Sequence, residues 1–270
     1  MSTSSVRGHA AQGGAAEGGA TLPALAGQRD IYLAMAVATD PALYNTGVYG
    51  EIDAGIDVDA LTAATLEVLD SAQAMRTVFT ELDGELRQRI LPVDSFTVRS
   101  VDLRGSDAQE WMRNDMSIPM DIHGGPLSEI SVLRVDDDTV FIYLKIHHLV
   151  CDGVGLIHFM QAVQETYDGK HATRQWDLHT VVEAEDRYRD GAEFLADRDY
   201  WLDRMSDRPE PVRLLPQPLP PGVGRTHTRL EIPVEQLSAL RSCASATGIR
   251  PTVFMIGVVA AFAQIRSGRD

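Results

Sequence analysis

Cysteine is scarce in this chain, which has only Cys151 and Cys243 among 270 residues. Two cysteines in a sequence of this length exclude a framework of several disulfides and favour a reducing compartment. We therefore predict a cytoplasmic protein. Aromatic residues are also few, at 6 %, yet 44 % of the residues are hydrophobic, which is enough for a substantial core.

Basic residues are outnumbered. The chain has 24 Lys and Arg against 39 Asp and Glu, so its formal net charge is −15. Nucleic acids and anionic membranes both need a basic surface on their protein partner. The sequence therefore predicts neither nucleic acid nor membrane as a partner.

Long apolar runs are missing as well. The longest, Val253 to Ala263, is too short to cross a bilayer and predicts a buried helix. Residues 1 to 20 are mostly Ser, Gly and Ala with scattered charges, without the apolar centre of a signal peptide. We expect these twenty residues to form a disordered leader.

The most specific feature of the chain is the stretch from Ile146 to Gly153, which reads Ile-His-His-Leu-Val-Cys-Asp-Gly. Apolar residues alternate in the segment before it, as they do in a strand. This period of two predicts that His148 extends the aliphatic row toward a cavity at the end of the strand and that His147 faces the other side of the sheet. An imidazole in such a cavity can exchange protons near neutral pH.

Other interpretations of these residues are open. A histidine on an apolar face is commonly a hydrogen-bonded core residue. A metal site would use His147, His148, Cys151, Asp152 and His158, but adjacent histidines on a strand diverge, and we predict no metal. A nucleophilic role for Cys151 is less favoured, because nothing in the sequence around it indicates an activated thiol.

Helical and extended patterns alternate along the chain, which is typical of an α/β fold. Helices are predicted at residues 24–37, 58–77, 107–116, 156–167, 180–205, 234–246 and 251–265. Strands are predicted at residues 44–53, 97–102, 128–135, 140–147 and 226–232, with a hairpin at 80–92 around Asp83-Gly84.

Six prolines lie between Pro209 and Pro221, too many for a helix or strand. We interpret this segment as part of a crossover. The predicted domains are the leader at 1–20, a first lobe at 21–178, a helical and Pro-rich crossover at 179–225, and the beginning of a second lobe at 226–270.

The His-His-x-x-x-Asp-Gly stretch resembles the signature of nonribosomal peptide synthetase condensation domains and, more distantly, of chloramphenicol acetyltransferase. Three further segments are similar to motifs of that family in order and spacing. They are residues 22–32 with Gln28-Arg29, residues 41–45, and Met75-Arg76-Thr77-Val78-Phe79 followed by Asp83-Gly84. The resemblance extends over about residues 21 to 270 and is most specific at 146 to 153.

The resemblance implies an α/β fold, in detail an α+β two-layer sandwich: a chloramphenicol acetyltransferase-like lobe with a mixed sheet. Two such lobes form a V in this family, with the histidine motif between them. The family pattern continues beyond Asp270, so we expect the second lobe to be incomplete and the chain to be truncated.

The implied reaction is aminolysis of a thioester. An acyl or peptidyl group on the phosphopantetheine of a donor peptidyl carrier protein is attacked by an aminoacyl amine on an acceptor carrier, and an amide forms. The resemblance implies that the domain binds no cofactor of its own. Its partners would be the two carrier proteins and adjacent adenylation and carrier domains.

By resemblance, His148 is the catalytic residue, with His147, Asp152, Gly153 and Arg76 in support. Arg76 would pair with Asp152, which fixes the loop; alternatively, Arg76 is exposed near a helix end. Gly153 would make the turn possible or present its amide to the oxyanion.

Three other functions stay open. An epimerization domain shares the histidine motif, a free-standing acyltransferase of the same fold would use coenzyme A or a carrier, and a non-catalytic docking module would need no chemistry. This chain also departs from the family pattern after Asp-Gly, where many members carry an aromatic residue and Ser but Val154 and Gly155 stand here.

Overall fold

A computed structural model describes residues 21–170, 177–208, 212 and 231–268. The chain divides into two compact units, of which the first ends at Arg187 and the second begins at Tyr188. The expected leader at 1–20 lies outside the described residues, as do the predicted strand residues 226–230 and most of the Pro-rich crossover. The predicted domain boundaries stay predictions.

Strands and helices alternate through the first unit. Its strands are β1 (Leu22–Pro23), β2 (Asn45–Asp53), β3 (Thr77–Leu82), β4 (Glu85–Ile90), β5 (Val98–Asp102), β6 (Ser128–Arg134) and β7 (Thr139–His147). Its helices are α1 (Ala26–Met35), α2 (Val58–Ser71), α3 (Ala108–Met116) and α4 (Gly153–Tyr167), and α5 (Leu178–Arg189) extends to the boundary. Two short 3₁₀ helices lie at Gln73–Arg76 and Val93–Ser95.

The strands form two sheets. Three strands pair antiparallel in the order β1-β4-β3, and four form a mixed sheet in the order β2-β7-β6-β5, in which only β5 and β6 are parallel. β7 is therefore a central strand. It pairs along its whole length with β2, so that Asn45 lies opposite His147.

The mixed sheet is covered on both faces. The even-numbered row of β7, from Val140 to Ile146, is buried in a core with apolar residues of α2 and α4, and α2 packs against α4. On the opposite face, Tyr143 packs in a smaller cluster with Leu103, Leu133 and Met112 of α3. This arrangement places the carboxyl end of β7 between two helical layers.

Local sequence explains most of the element boundaries. Asp57, Asp107 and Asp152 cap α2, α3 and α4, each accepting a hydrogen bond from a backbone N–H of the first turn. The β3-β4 hairpin turns at Asp83 and Gly84, which have φ angles of 54° and 80°. Two positive φ angles in succession are what a two-residue hairpin of this hand requires, and Asp-Gly supplies them at low cost.

The helix predicted at 58–77 is shorter than expected. It ends at Ser71, a 3₁₀ turn follows, and Thr77 already belongs to β3. No Gly or Pro marks this end in the sequence. The side chain of Arg76 folds back onto the last carbonyl groups of α2 instead.

The second unit contains α6 (Ala192–Arg204), α7 (Val234–Ala246) and α8 (Pro251–Ser267). The two helices predicted after the crossover are confirmed. The prediction that the apolar run Val253 to Ala263 is buried is wrong, because none of the residues of α8 is buried. No described helix, α7 and α8 included, is by itself long and apolar enough to cross a membrane. By length and composition α7 and α8 taken together would be, but they are bent by 99° relative to each other.

Candidate active site

The two histidines of the motif lie at the end of central strand β7. His147 is the last residue of the strand, and its backbone N–H donates to the carbonyl of Leu127 (2.9 Å). The backbone N–H of His148 donates to the carbonyl of Tyr44 (2.8 Å), just before β2. The chain then turns, with the N–H of Val150 donating to the carbonyl of His147 (3.0 Å). The backbone around His148 is thus held from both sides.

His147 is a buried, neutral residue. Only 1 % of it is exposed, and its Nδ1 accepts a hydrogen bond from the backbone N–H of Leu149 (3.2 Å). Its Nε2 is buried with no hydrogen-bond partner among the described residues. Burial, and to a lesser extent the neighbouring His148, lower the pKa of His147 from 6.5 to about 4. Because Nδ1 accepts, the proton of the neutral ring is on Nε2.

His148 is exposed, unlike its neighbour. The prediction that it extends the buried aliphatic row is wrong, because β7 ends one residue earlier and His148 belongs to the turn. Within the described part of the chain, no hydrogen bond ties its imidazole to Asp152 or Gly153. The ring is therefore available to a substrate.

Asp152 caps helix α4. Its side chain is exposed, and Oδ1 accepts a hydrogen bond from the N–H of Gly155 (2.8 Å). Gly153 is the first residue of α4, has no positive φ, and would have no atom within 4 Å of an added Cβ. The backbone conformation at position 153 therefore does not require a glycine, and the turn does not depend on Gly153. The absence of a side chain leaves the surface beside the first turn of α4 open.

Arg76 does not pair with Asp152, and the predicted ion pair is wrong. Arg76 is 8 % exposed, so the alternative of a solvent-exposed arginine is wrong as well. Its guanidinium donates to the carbonyls of Leu69 (2.9 Å), Asp70 (2.7 Å) and Leu91, and it lies 3.5 Å from the Asp70 carboxylate. Arg76 thus closes the end of α2 and joins it to the segment after β4.

Comparison with known proteins identifies the family. The family model described as "Condensation domain" matches residues 20–270. The chain belongs to the condensation-domain family. This result confirms the prediction from the histidine motif.

Two of the curated relatives are peptide or lipopeptide synthases. The chain is 28 % identical over 263 residues to the isonitrile lipopeptide synthase of Streptomyces coeruleorubidus, covering 88 % of this chain and 17 % of the relative. It is 30 % identical over 199 residues to the dimodular nonribosomal peptide synthase of Bacillus subtilis strain 168, covering 69 % and 8 %. The chain thus spans less than a fifth of the length of these curated relatives.

Solved structures agree on the fold. The first condensation domain of the calcium-dependent antibiotic synthetase, in complex with a substrate analogue, has a TM-score of 0.77 at 26 % identity, covering 93 % of this chain and 61 % of that one. The starter condensation domain of the rhizomide synthetase has a TM-score of 0.65 at 29 % identity, covering 73 % and 50 %. A mutant of the rhizomide domain has been solved with C8-CoA, at a TM-score of 0.67 and 28 % identity, covering 74 % and 49 %. The mixed α/β fold with a chloramphenicol acetyltransferase-like lobe is confirmed.

The thiol of Cys151 is poorly suited to act as a nucleophile in this condensation domain. Burial, followed by the negative charge of Asp152, raises the pKa of Cys151 from 9.0 to about 11, so the unreactive protonated form prevails at neutral pH. Its Sγ lies 2.5 Å from where a Cβ on Gly155 would be. Cys151 thus occupies the space that a side chain at position 155 would need. Among the described residues, no group of three His, Cys, Asp or Glu side chains could hold a metal ion.

Sequence reasoning missed the contact between Gln28 and the histidine turn. Gln28 lies in α1 and is 8 % exposed, and its Nε2 donates to the carbonyl of Leu149 (3.2 Å). The family resemblance pointed to Gln28-Arg29 as a motif but gave it no role. The signal that could have indicated this contact was Gln28 near the start of a predicted helix, because an amide that becomes buried there needs hydrogen-bond partners.

Proposed function

We propose that this condensation domain forms an amide bond by aminolysis of a thioester. The acyl or peptidyl donor is held on the phosphopantetheine arm of one carrier protein, and the aminoacyl acceptor on the arm of a second. The amine attacks the thioester carbonyl, the carbon–sulfur bond breaks, and the donor arm leaves as a thiol. The relatives support this reaction because they are peptide synthetases.

A thioester and a free amine need alignment more than activation. The protein must bring the two tethered reactants together and stabilise the oxyanion of the tetrahedral intermediate. A covalent intermediate on the protein is unnecessary, which agrees with a protonated Cys151. The domain itself needs no bound cofactor for this chemistry.

His148 is the residue we assign to catalysis. The observation that carries this assignment is its exposed imidazole on a turn whose backbone is fixed by hydrogen bonds to Tyr44 and within the turn. An imidazole there can remove the ammonium proton or accept a hydrogen bond that aligns the amine. His147 cannot take that role, since it is buried and its Nδ1 already binds the Leu149 amide.

Asp152 and Gly153 support this site from the first turn of α4. Asp152 fixes where the helix begins, and Gly153 leaves room for the substrate beside it. A mutant of the rhizomide starter domain is solved in complex with C8-CoA. Coenzyme A contains a phosphopantetheine arm, which supports a carrier arm as the group that brings the donor. We place the partners, two carrier proteins and the neighbouring synthetase domains, in the cytoplasm.

The test is an amide assay with both carriers loaded. The purified protein is mixed with an acyl-loaded donor carrier and an aminoacyl-loaded acceptor carrier, and the acceptor is followed by intact-protein mass spectrometry. We expect the acceptor to gain the mass of the donor acyl group, with loss of the donor thioester. If the acceptor is only epimerised, or if acylation occurs only from coenzyme A onto a free amine, the assignment is wrong.

A further inference from the structure

The turn that carries His148 has a further attachment, at the carbonyl of Leu149. The backbone N–H of His148 is bound to Tyr44, and the N–H of Val150 to the carbonyl of His147. The Leu149 carbonyl accepts a hydrogen bond from Nε2 of Gln28 (3.2 Å). This bond joins residues 121 positions apart and acts directly next to His148.

The orientation of the Gln28 amide is determined by its partners. Oε1 accepts from the backbone N–H of Leu25 (2.8 Å), and Nε2 also donates to Oε1 of Gln88 (3.2 Å). Gln88 in turn donates from its own Nε2 to the carbonyl of Pro23 (2.7 Å). Exchanging O and N in either amide would place two donors or two acceptors together, so the network permits one assignment.

Helix α1 is itself held in place. The carboxylate of Glu185 in α5 accepts from the N–H of Ala26 (3.0 Å) and lies 3.2 Å from the guanidinium of Arg29. The negative charge of this carboxylate, at the N-terminus of α1, also interacts favourably with the helix dipole. The donor that reaches Leu149 therefore comes from an element that is fixed at its start.

We propose that Gln28 is a positioning residue for amide formation: its side-chain amide binds the Leu149 carbonyl and holds the turn that presents His148. This proposal rests on the proposed function and names a residue that acts on the catalytic group through one peptide unit. Gln28 does not touch substrate. Its loss lets the turn shift, and a shift of about 1 Å at a catalytic group costs up to about a hundred-fold in rate.

The variant that tests this is Gln28→Met, which keeps the length of the side chain and removes both donors. Thr65→Val is the matched control, since Thr65 is also buried, donates to the carbonyl of Leu61 (2.8 Å), and lies in α2. Each variant loses one or more buried hydrogen bonds and should melt at a lower temperature. Only Gln28→Met should change the turn.

Two readouts separate positioning from general destabilisation. We expect kcat for amide formation to fall about ten- to hundred-fold in Gln28→Met, with KM within about two-fold, while Thr65→Val keeps both near the wild-type values. In NMR spectra, the Leu149 carbonyl carbon and the His148 imidazole nitrogens should shift in Gln28→Met alone. Equal kcat in the two variants, or unmoved His148 signals, would overturn the proposal.

If Gln28→Met does not fold, Gln88→Met is the second variant. It leaves Gln28 in place but removes the acceptor that orients its amide, so the same NMR signals should shift by a smaller amount; unmoved signals would reject the proposal. Failure of the proposed function has a different signature. A complete condensation domain with the wild-type sequence that forms no amide refutes the reaction, and the NMR comparison still decides whether Gln28 holds the turn.

Discussion

At the residue scale, the two adjacent histidines show that side chains of the same type, one position apart, can differ in chemistry. His147 is the last residue of β7 and is buried, whereas His148 is the first of the turn and is exposed. Burial keeps His147 neutral and lets it accept from the backbone of Leu149. The exposed ring of His148 is the one to which we assign the catalytic role.

The depressed pKa of His147 predicts a loss of stability in acid. In the unfolded chain this group takes up a proton below pH 6.5, but in the folded chain only near pH 4. Between these values the unfolded state binds more protons, so the free energy of unfolding falls as the pH falls, by up to about 3 kcal/mol from this group. Urea titrations at pH 7 and pH 4.5 measure it.

The variant His147→Asn retains an acceptor for Leu149 without a titrating group, so its stability should depend less on pH over that window. His158→Ala removes an exposed histidine of α4 and should keep the wild-type dependence. If His147→Asn and the wild type lose equal stability between pH 7 and pH 4.5, His147 is not the buried neutral group we describe.

The contact between Cys151 and Gly155 predicts a coupled pair. A Cβ at position 155 would lie 2.5 Å from Cys151 Sγ, so Gly155→Ser should destabilise the protein by about 1–3 kcal/mol. Cys151→Ala removes the sulfur and should restore most of that loss in the double variant. Gly153→Ser, where nothing lies within 4 Å, is the control and should change stability by at most about 0.5 kcal/mol. A double variant as unstable as Gly155→Ser would refute the contact.

At the element scale, hairpin chemistry was predictable, whereas one helix start and the partners of buried charges were not. Asp83-Gly84 predicted its turn, but α4, predicted to begin at residue 156, begins at Gly153 after the Asp152 cap. Arg76 and Lys145 gave no such signal. Lys145 stands among the apolar residues of β7, where it is 1 % exposed and lies 3.8 Å from Asp115. Pairing over such sequence distances depends on how the sheet and α3 pack, which local patterns do not encode.

The cap of α4 predicts how Asp152 acts. Asp152→Ala should lower the free energy of unfolding by about 1 kcal/mol, because the N–H of Gly155 loses its acceptor, and Asp152→Ser should retain most of that stability. Asp107→Ala removes the corresponding cap of α3 and should cost a similar amount.

The two alanine variants should differ in activity. Asp152→Ala should slow amide formation, since α4 begins directly after the histidine turn, and Asp107→Ala should not. Thermal melts and the amide assay are run on both. A loss of about 3–5 kcal/mol in Asp152→Ala would instead indicate a broken buried ion pair, contrary to the exposed cap seen here.

At the scale of the whole molecule, α8 departs from an ordinary protein surface. None of its residues is buried, and the exposed apolar side chains are Val253, Ile256, Val258, Val259, Phe262 and Ile265. A helix that is apolar on most of its faces is normally covered in a folded protein.

We expect this helix to bind a hydrophobic dye such as ANS. Placing lysine at Ile256 and Ile265, which are 64 % and 80 % exposed, should lower the dye fluorescence of the chain. Val37→Lys, at an 83 % exposed position of the first unit, should leave it nearly unchanged. Equal fluorescence in the double-lysine variant and the wild type would place the dye site elsewhere.

The account as a whole depends on amide formation by a turn that presents His148. The most direct measurement is the rate at which the acceptor carrier gains the donor acyl mass, determined by rapid quench and intact-protein mass spectrometry for the wild type and His148→Ala. Because His148 is exposed and makes no described side-chain hydrogen bond, we predict an unchanged melting temperature together with a rate reduced by about 10²- to 10⁴-fold. A folded His148→Ala protein that forms the amide at the wild-type rate would contradict the account.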